Sequence, residues 1–111
     1  MAIINTDLVH QRNAQGLYRP PEVKLINGAA VKFFTVPVHE FRMGDVEDPD
    51  VYAAEPLMAW QKSPAGAWVM EHAVEVPYWT RALDHYNYGV TYRIMARLSE
   101  PDLIVFKLKF S

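Results

Sequence analysis

The sequence has no cysteine and only three serines. Without cysteine there is no disulfide, no thiolate catalysis and no cysteine-ligated zinc, haem or iron–sulfur site. None of the serines stands in the G-x-S-x-G turn that presents a nucleophile in α/β-hydrolases. The lack of cysteine is compatible with a reducing compartment such as the cytosol.

A strong charge excess and long apolar runs are also missing. The chain has 111 residues, with 11 basic and 13 acidic side chains, a net charge of −2 and a pI of about 6.0. A dedicated duplex-DNA binder usually carries a basic excess, so any charge-driven contact here must come from a local patch. The first residues have neither a basic start nor an apolar core, and nowhere do about 20 apolar residues follow one another. We therefore expect an intracellular protein without a signal peptide or a membrane span.

Common metal and phosphate motifs are absent from the sequence as well. The five glycines are scattered singly, which excludes the Gly-rich phosphate loops, and the four histidines do not form H-E-x-x-H. A metal-dependent hydrolase built around His72, His85 and a distant carboxylate would need proximity in three dimensions, so the sequence leaves it open. No catalytic residue, metal ligand or cofactor is assigned, and the inventory favours a protein that is not an enzyme.

Half of the residues are hydrophobic, which suffices for the packed core of one domain, residues 1–111. Residues 1–21 are expected to form an N-terminal arm or a short helix, and residues 22–111 an α+β core. The segment 22–41 predicts a β-hairpin, because Asn27-Gly28 tolerates positive φ at both turn positions. Pro37 lacks a donor for the sheet, so its strand should lie at an edge, bulge or end there.

Three acid–proline or serine–proline pairs are typical of helix starts. They are Asp48-Pro49, Glu55-Pro56 and Ser63-Pro64. The region from 48 to 73 therefore predicts one to three short helices, the last at about 64–73. An apolar stripe that faces a sheet is indicated by residues at three- and four-residue steps, which are Leu57 and Trp60, then Trp68, Val69 and His72.

Two long strands are expected at the end of the chain, at 88–98 and 103–110. A pairing with Leu98 opposite Ile104 keeps both apolar sets on one face of this hairpin. The predicted fold class is thus α+β, with an antiparallel sheet of about four to five strands. The N-terminal hairpin and the C-terminal strands form this sheet, and a short tryptophan-containing helical segment packs on it.

The same register predicts a basic face on the C-terminal hairpin, because Arg93 falls opposite Lys109 and Arg97 lies diagonal to Lys107. Like charges across a pair of strands are destabilising, so this face should have an acidic counterpart. That counterpart could be elsewhere in the chain, in an acidic protein or in a nucleic-acid backbone.

An acidic turn precedes the first predicted helix. The sequence MGDVEDPDVY, residues 43–52, fails the EF-hand pattern because Pro49 takes the fifth position and Pro56 the twelfth. As a helix start it is favourable, since negative charge stabilises the N-terminal end of a helix. The predicted partner-binding residues are Asp45, Glu47 and Asp50 in this turn and Arg93, Arg97, Lys107 and Lys109 in the basic face.

One run carries a resemblance to known proteins. Residues 60–72 read W-x-x-S-x-x-G-x-W-V-M-E-H, and with the closing segments they resemble small uncharacterised proteins of tailed bacteriophages over residues 41–110. The resemblance implies a short phage protein made in the bacterial host cytoplasm, acting there or in the virion as an accessory or as a modulator of a host complex. It carries over no functional residue.

These observations together predict a non-enzymatic protein-interaction module. Its partner would be a second copy of itself, or a host or viral complex in which it acts as an assembly component. The alternative is a nucleic-acid-binding protein that uses the basic hairpin face. A small metal-dependent hydrolase is the third possibility.

Overall fold

The computed structural model describes residues 7–13, 19–44, 46–83 and 89–110. The described helices are a 3-10 turn at Leu8–His10, α1 (Pro49–Lys62), α2 (Pro64–His72) and α3 (Glu100–Phe110). The described strands are β1 (Glu22–Ile26), β2 (Ala29–Met43), β3 (Tyr78–Leu83) and β4 (Val90–Ser99). They form one antiparallel sheet in the order β1-β2-β4-β3. The predicted α+β class is confirmed.

The hairpin of β1 and β2 forms as predicted. Ile26 pairs with Ala29, and the two turn residues between them, Asn27 and Gly28, have φ values of 52° and 80°. Positive φ at both positions gives the turn the right-handed twist of its strands. At Pro37 the only described strand beside β2 is β4, because β1 pairs with β2 only from Ala29 to Phe33, so this part of β2 lies at an edge as predicted. The register also shifts between Pro37 and His39, so the predicted bulge occurs as well.

The core lies between the helices and one face of the sheet. Alternate residues of β4, from Tyr92 to Leu98, are at most 1% exposed. Leu57 and Trp60 of α1 and Val69 of α2 close this core from the other side. The predicted packing of a tryptophan-containing helical segment on the sheet is therefore confirmed.

The helix starts agree with the proline pairs in two of three cases. α2 begins at Pro64, and the Ser63 Oγ accepts a hydrogen bond from the Gly66 N–H at 3.1 Å. α1 begins at Pro49, but Asp48 adopts a left-handed backbone with φ 48° and its side chain makes no capping hydrogen bond to the described residues. Pro56 lies inside α1 and does not start a helix, so that prediction was wrong.

The strand predicted at 103–110 is also wrong, because these residues belong to α3. Both sides of β4 are already occupied, by β2 and β3, and Leu98 pairs with Phe34 and not with Ile104. α3 has favourable ends: the Asp102 N–H donates to the Ser99 Oγ at 3.4 Å. Acidic residues occupy its first turn and lysines its last turn, which complements the helix dipole. The four-cation hairpin face therefore does not exist.

Candidate interaction surfaces

Arg97 is the predicted partner-binding residue that the fold buries. It lies on the sheet face away from the helices and is only 4% exposed. Its Nη1 donates to the Thr35 Oγ1 at 2.7 Å, and its Nη2 lies 3.1 Å from the Glu22 Oε1. This bond lowers the pKa of Glu22 below its ordinary value. Arg97 is thus engaged within the chain and is not available to an external partner.

A second ion pair, between Arg19 and Glu75, lies near enough to Arg97 for its charge to act on Glu75. Arg19, just before β1, makes two bonds to Glu75, one of them from its Nη2 to Oε1 at 3.1 Å. The hydrogen bond from Arg19 lowers the pKa of Glu75. The Val74 N–H donates to the Arg97 carbonyl oxygen at 3.0 Å, which holds the segment of Glu75 beside β4.

Arg93 faces an acid of its own sheet. It pairs in register with Glu40, and its Nε donates to the Glu40 Oε2 at 3.0 Å. Both side chains are about half exposed, at 57% and 49%. An exposed pair of this kind contributes about 1 kcal/mol or less to stability.

Asp50 connects the start of α1 to three other parts of the chain. Its Oδ1 accepts hydrogen bonds from the Arg81 Nη1 at 2.9 Å and the Tyr92 hydroxyl at 2.7 Å. Its Oδ2 lies 3.5 Å from the Arg12 Nη1. Burial and then the hydrogen bond to Asp50 raise the pKa of Tyr92 to about 12. The arrangement fits a structural tie better than a partner-binding carboxylate.

The remaining predicted residues are Asp45, Glu47, Lys107 and Lys109. Asp45 lies outside the described residues, and Glu47 is exposed before α1. Lys107 and Lys109 are exposed in the last turn of α3. The partners that the structure gives to Asp50, Arg93 and Arg97 are thus Arg12, Arg81 and Tyr92 for the first, Glu40 for the second and Glu22 and Thr35 for the third.

Two histidine rings, those of His39 and His72, stack on tryptophan rings. The His72 ring stacks on Trp68 at 4.1 Å between centroids, and its Nδ1 lies 2.8 Å from the Trp68 carbonyl oxygen. A carbonyl can only accept, so this nitrogen carries the proton. His39 stacks on Trp60 at 5.7 Å, and burial lowers its pKa. His85, the other half of the hydrolase hypothesis, lies outside the described residues.

α3 has two apolar sides, and one of them is packed. The packed stripe consists of Leu103, Phe106 and Phe110. Trp68 of α2 contacts this stripe, with ring centroids 6.0 Å from Phe106 and 6.1 Å from Phe110. None of the residues of Glu100–Phe110, all of which are described, is fully buried.

The opposite side of α3 is apolar and exposed. We name it the outward stripe, and its members are Pro101, Ile104, Val105 and Leu108. Ile104, Val105 and Leu108 are 54%, 40% and 81% exposed. Their spacing of three, four and seven residues places all four on one side of a helix. Sequence reasoning missed this surface because the segment was interpreted as a strand.

β1 is the second exposed apolar element. All five of its residues are exposed, and Leu25 is 78% exposed. It is an edge strand, so one side of its backbone is open. The Lys24 Nζ lies 3.6 Å from the Glu22 Oε1 on the same strand. Charged side chains on an edge strand discourage its pairing with the edge strand of another sheet.

Two negative findings apply to residues 7–13, 19–44, 46–83 and 89–110. Within these ranges no three histidine, aspartate or glutamate side chains come together in a group that could hold a metal ion. The helices of the same ranges are all too short or too polar to cross a membrane.

Comparisons with known proteins add no relative. No protein-family model matches the sequence, no curated protein is significantly similar to it, and no solved structure gives a significant match.

Proposed function

We propose that this chain is a non-enzymatic protein-interaction module that docks on a protein through the outward stripe of α3. The supporting observation is the exposure of Ile104, Val105 and Leu108 on a helix that is otherwise anchored by aromatic packing. Burying an exposed side chain of this size stabilises a complex by about 1.5–3 kcal/mol. Contiguous apolar surface of this kind typically marks a protein contact.

We also propose a phage origin, with a role as a virion or assembly accessory or as a modulator of a host or viral complex. This part rests on the resemblance of residues 60–72 to small proteins of tailed phages. The host cytoplasm and the virion are the two locations that such a role implies.

The nucleic-acid alternative has lost its structural premise. It required Arg93, Arg97, Lys107 and Lys109 on one strand pair, whereas Arg97 is buried against Glu22 and the two lysines belong to α3. An apolar stripe is suited to a protein surface and not to a phosphate backbone.

Site-specific photo-crosslinking in bacterial cells tests the docking proposal. A photoreactive phenylalanine analogue replaces Leu108 in one variant and, as a control, Val51 in another, since Val51 is an apolar side chain of α1 that is 71% exposed. We expect protein adducts of one or a few defined masses from position 108, which the added change Ile104→Ser removes. Equal adducts from both positions, or none from position 108, would contradict the proposal.

A further inference from the structure

We propose that the protein bound by the outward stripe is a second copy of this chain, with the two α3 helices antiparallel about a two-fold axis. This inference rests on the proposed function, because it names the partner of the same surface. What favours a second copy is a symmetry in the order of residues along α3.

The residues of the outward stripe are spaced symmetrically along α3, because the steps from Pro101 to Ile104, Val105 and Leu108 are three, one and three residues. In an antiparallel pair centred between Ile104 and Val105, Pro101 lies near Leu108 of the other copy, and Ile104 and Val105 each lie near their own counterpart. Each apolar side chain therefore meets another apolar side chain. A two-fold interface requires this reciprocity, since every contact between two residues occurs twice.

The charges beside the stripe obey the same symmetry. Glu100 and Lys107 are seven residues apart and lie on one flank, and Asp102 and Lys109, also seven apart, lie on the other flank. At 3.6 residues per turn, seven residues are close to two full turns, so each acid is aligned with its lysine along the helix.

An antiparallel arrangement brings opposite charges together on both flanks. Glu100 of each copy lies on the same flank as Lys107 of the other, about 3 Å from it along the helix axis. Asp102 is placed in the same way towards Lys109, which makes four ion pairs in the dimer. A parallel arrangement would place acid beside acid and lysine beside lysine. The charge pattern thus selects the antiparallel form, and like-charge contacts exclude the parallel one.

The length of α3 limits the strength of this contact. Its 11 residues extend over about 16 Å. The pair therefore buries less than the roughly 800 Å² per partner of a standard stable interface. We expect a reversible dimer with a dissociation constant on the order of micromolar, so that the fraction of dimer depends on protein concentration.

Sedimentation equilibrium over a series of concentrations measures this association in the purified full chain. We expect Leu108→Ser to raise the dissociation constant at least roughly tenfold, because the loss occurs twice in a two-fold interface. Val51→Ser is the matched control and should leave the constant unchanged. A dimer that resists Leu108→Ser forms elsewhere and overturns the inference.

A charge exchange tests the antiparallel geometry. Glu100→Lys places lysine beside lysine, and Lys107→Glu places acid beside acid, so each variant alone should dimerise more weakly, by roughly threefold to tenfold. Their equimolar mixture restores both pairs and should dimerise as the unchanged chain does. Circular dichroism confirms that each variant remains folded. A mixture no stronger than its components overturns the geometry, and Leu108→Ser then still tests the surface without altering the charges of α3.

The failure of this inference can be distinguished from the failure of the proposed function. A strict monomer whose position 108 crosslinks to a different protein overturns self-pairing and retains the docking surface. A strict monomer without any adduct at position 108 overturns both.

Discussion

Arg97 and Glu22 join two strands that are not neighbours in the sheet. Arg97 lies on β4 and Glu22 on β1, and their Nη2 and Oε1 atoms are 3.1 Å apart. The Arg97 Nη1 donates to Thr35 on β2, the strand between them. One buried guanidinium therefore spans three strands and holds the hairpin of β1 and β2 against the rest of the sheet.

Replacing Arg97 by alanine should lower the free energy of unfolding by about 2–4 kcal/mol. The variant loses two hydrogen bonds of a charged donor and the packing of a buried side chain. Arg93→Ala is the matched control, because its pair with Glu40 is exposed and its loss should cost less than about 1 kcal/mol. Urea denaturation of both variants gives the comparison, and equal losses would refute the structural role of Arg97.

Acidification should weaken the ion pairs of Glu22 with Arg97 and of Glu75 with Arg19. The pKa values of Glu22 and Glu75 in the folded chain lie below the ordinary value of 4.5. A lowered carboxyl pKa contributes stability that is present above pH 4.5 and is lost as the pH falls through the folded value. The urea midpoint should therefore decline below pH 4.5.

The double variant Glu22→Gln with Glu75→Gln isolates this effect. It should be less stable than the unchanged chain at pH 7, and its urea midpoint should decline less on acidification, because neither position can then take up a proton. Parallel declines in the two proteins would show that other carboxyl groups control the acid transition.

The elements predicted correctly have causes that lie within a few residues. The β1–β2 turn needs two positive φ angles, and Asn27-Gly28 supplies them. The start of α2 needs a serine before a proline, and Ser63-Pro64 supplies both. Such signals are visible in the sequence because no distant residue takes part in them.

α3 could not be assigned from its apolar pattern. Ile104, Phe106, Leu108 and Phe110 alternate with Val105, Lys107 and Lys109, and such alternation is typical of a half-buried strand. What excludes the strand is distant in the chain, since β2 and β3 occupy both sides of β4. A local signal was present in Ser99-Glu100-Pro101, which repeats the serine-then-proline start of α2 with one residue inserted.

The site residues were harder to predict than the fold. The partners of Arg97 and Arg93, Glu22 and Glu40, lie in the first half of the chain and are brought near only by the sheet order. The outward stripe became recognisable once the helix was known, because the faces of a helix and of a strand group different residues.

Alkaline titration should single out Tyr92. Its folded pKa of about 12 lies above the ordinary value of 10.0, so its contribution to stability is intact below pH 10 and is lost as the pH rises towards 12. The difference in phenolate absorbance between the unchanged chain and Tyr92→Phe should have its midpoint near pH 12. Asp50→Asn should lower that midpoint while leaving it above 10, because burial is the larger cause. A midpoint near 10 in the unchanged chain would show that the hydroxyl is open to water.

Gly66 should tolerate no side chain. A Cβ at this position would lie 1.7 Å from the Trp60 carbonyl oxygen and 2.9 Å from the Gln61 Cα. These atoms are backbone at the end of α1, and the Ser63 N–H and hydroxyl both donate to the same carbonyl, so it cannot move aside cheaply. Gly66→Ala should therefore lower the free energy of unfolding by about 3 kcal/mol or more.

Gly44→Ala is the control for Gly66→Ala, because a Cβ there meets no other atom of the described chain within 4 Å. It should change the free energy of unfolding by less than about 0.5 kcal/mol in the same urea titration. α2 also carries Trp68, which contacts Phe106 in the packed stripe of α3. If the added Cβ of Gly66→Ala pushes α2 away from α1, it should also weaken association through α3. A Gly66→Ala chain with unchanged stability and unchanged dimerisation would contradict the packing between α1 and α2.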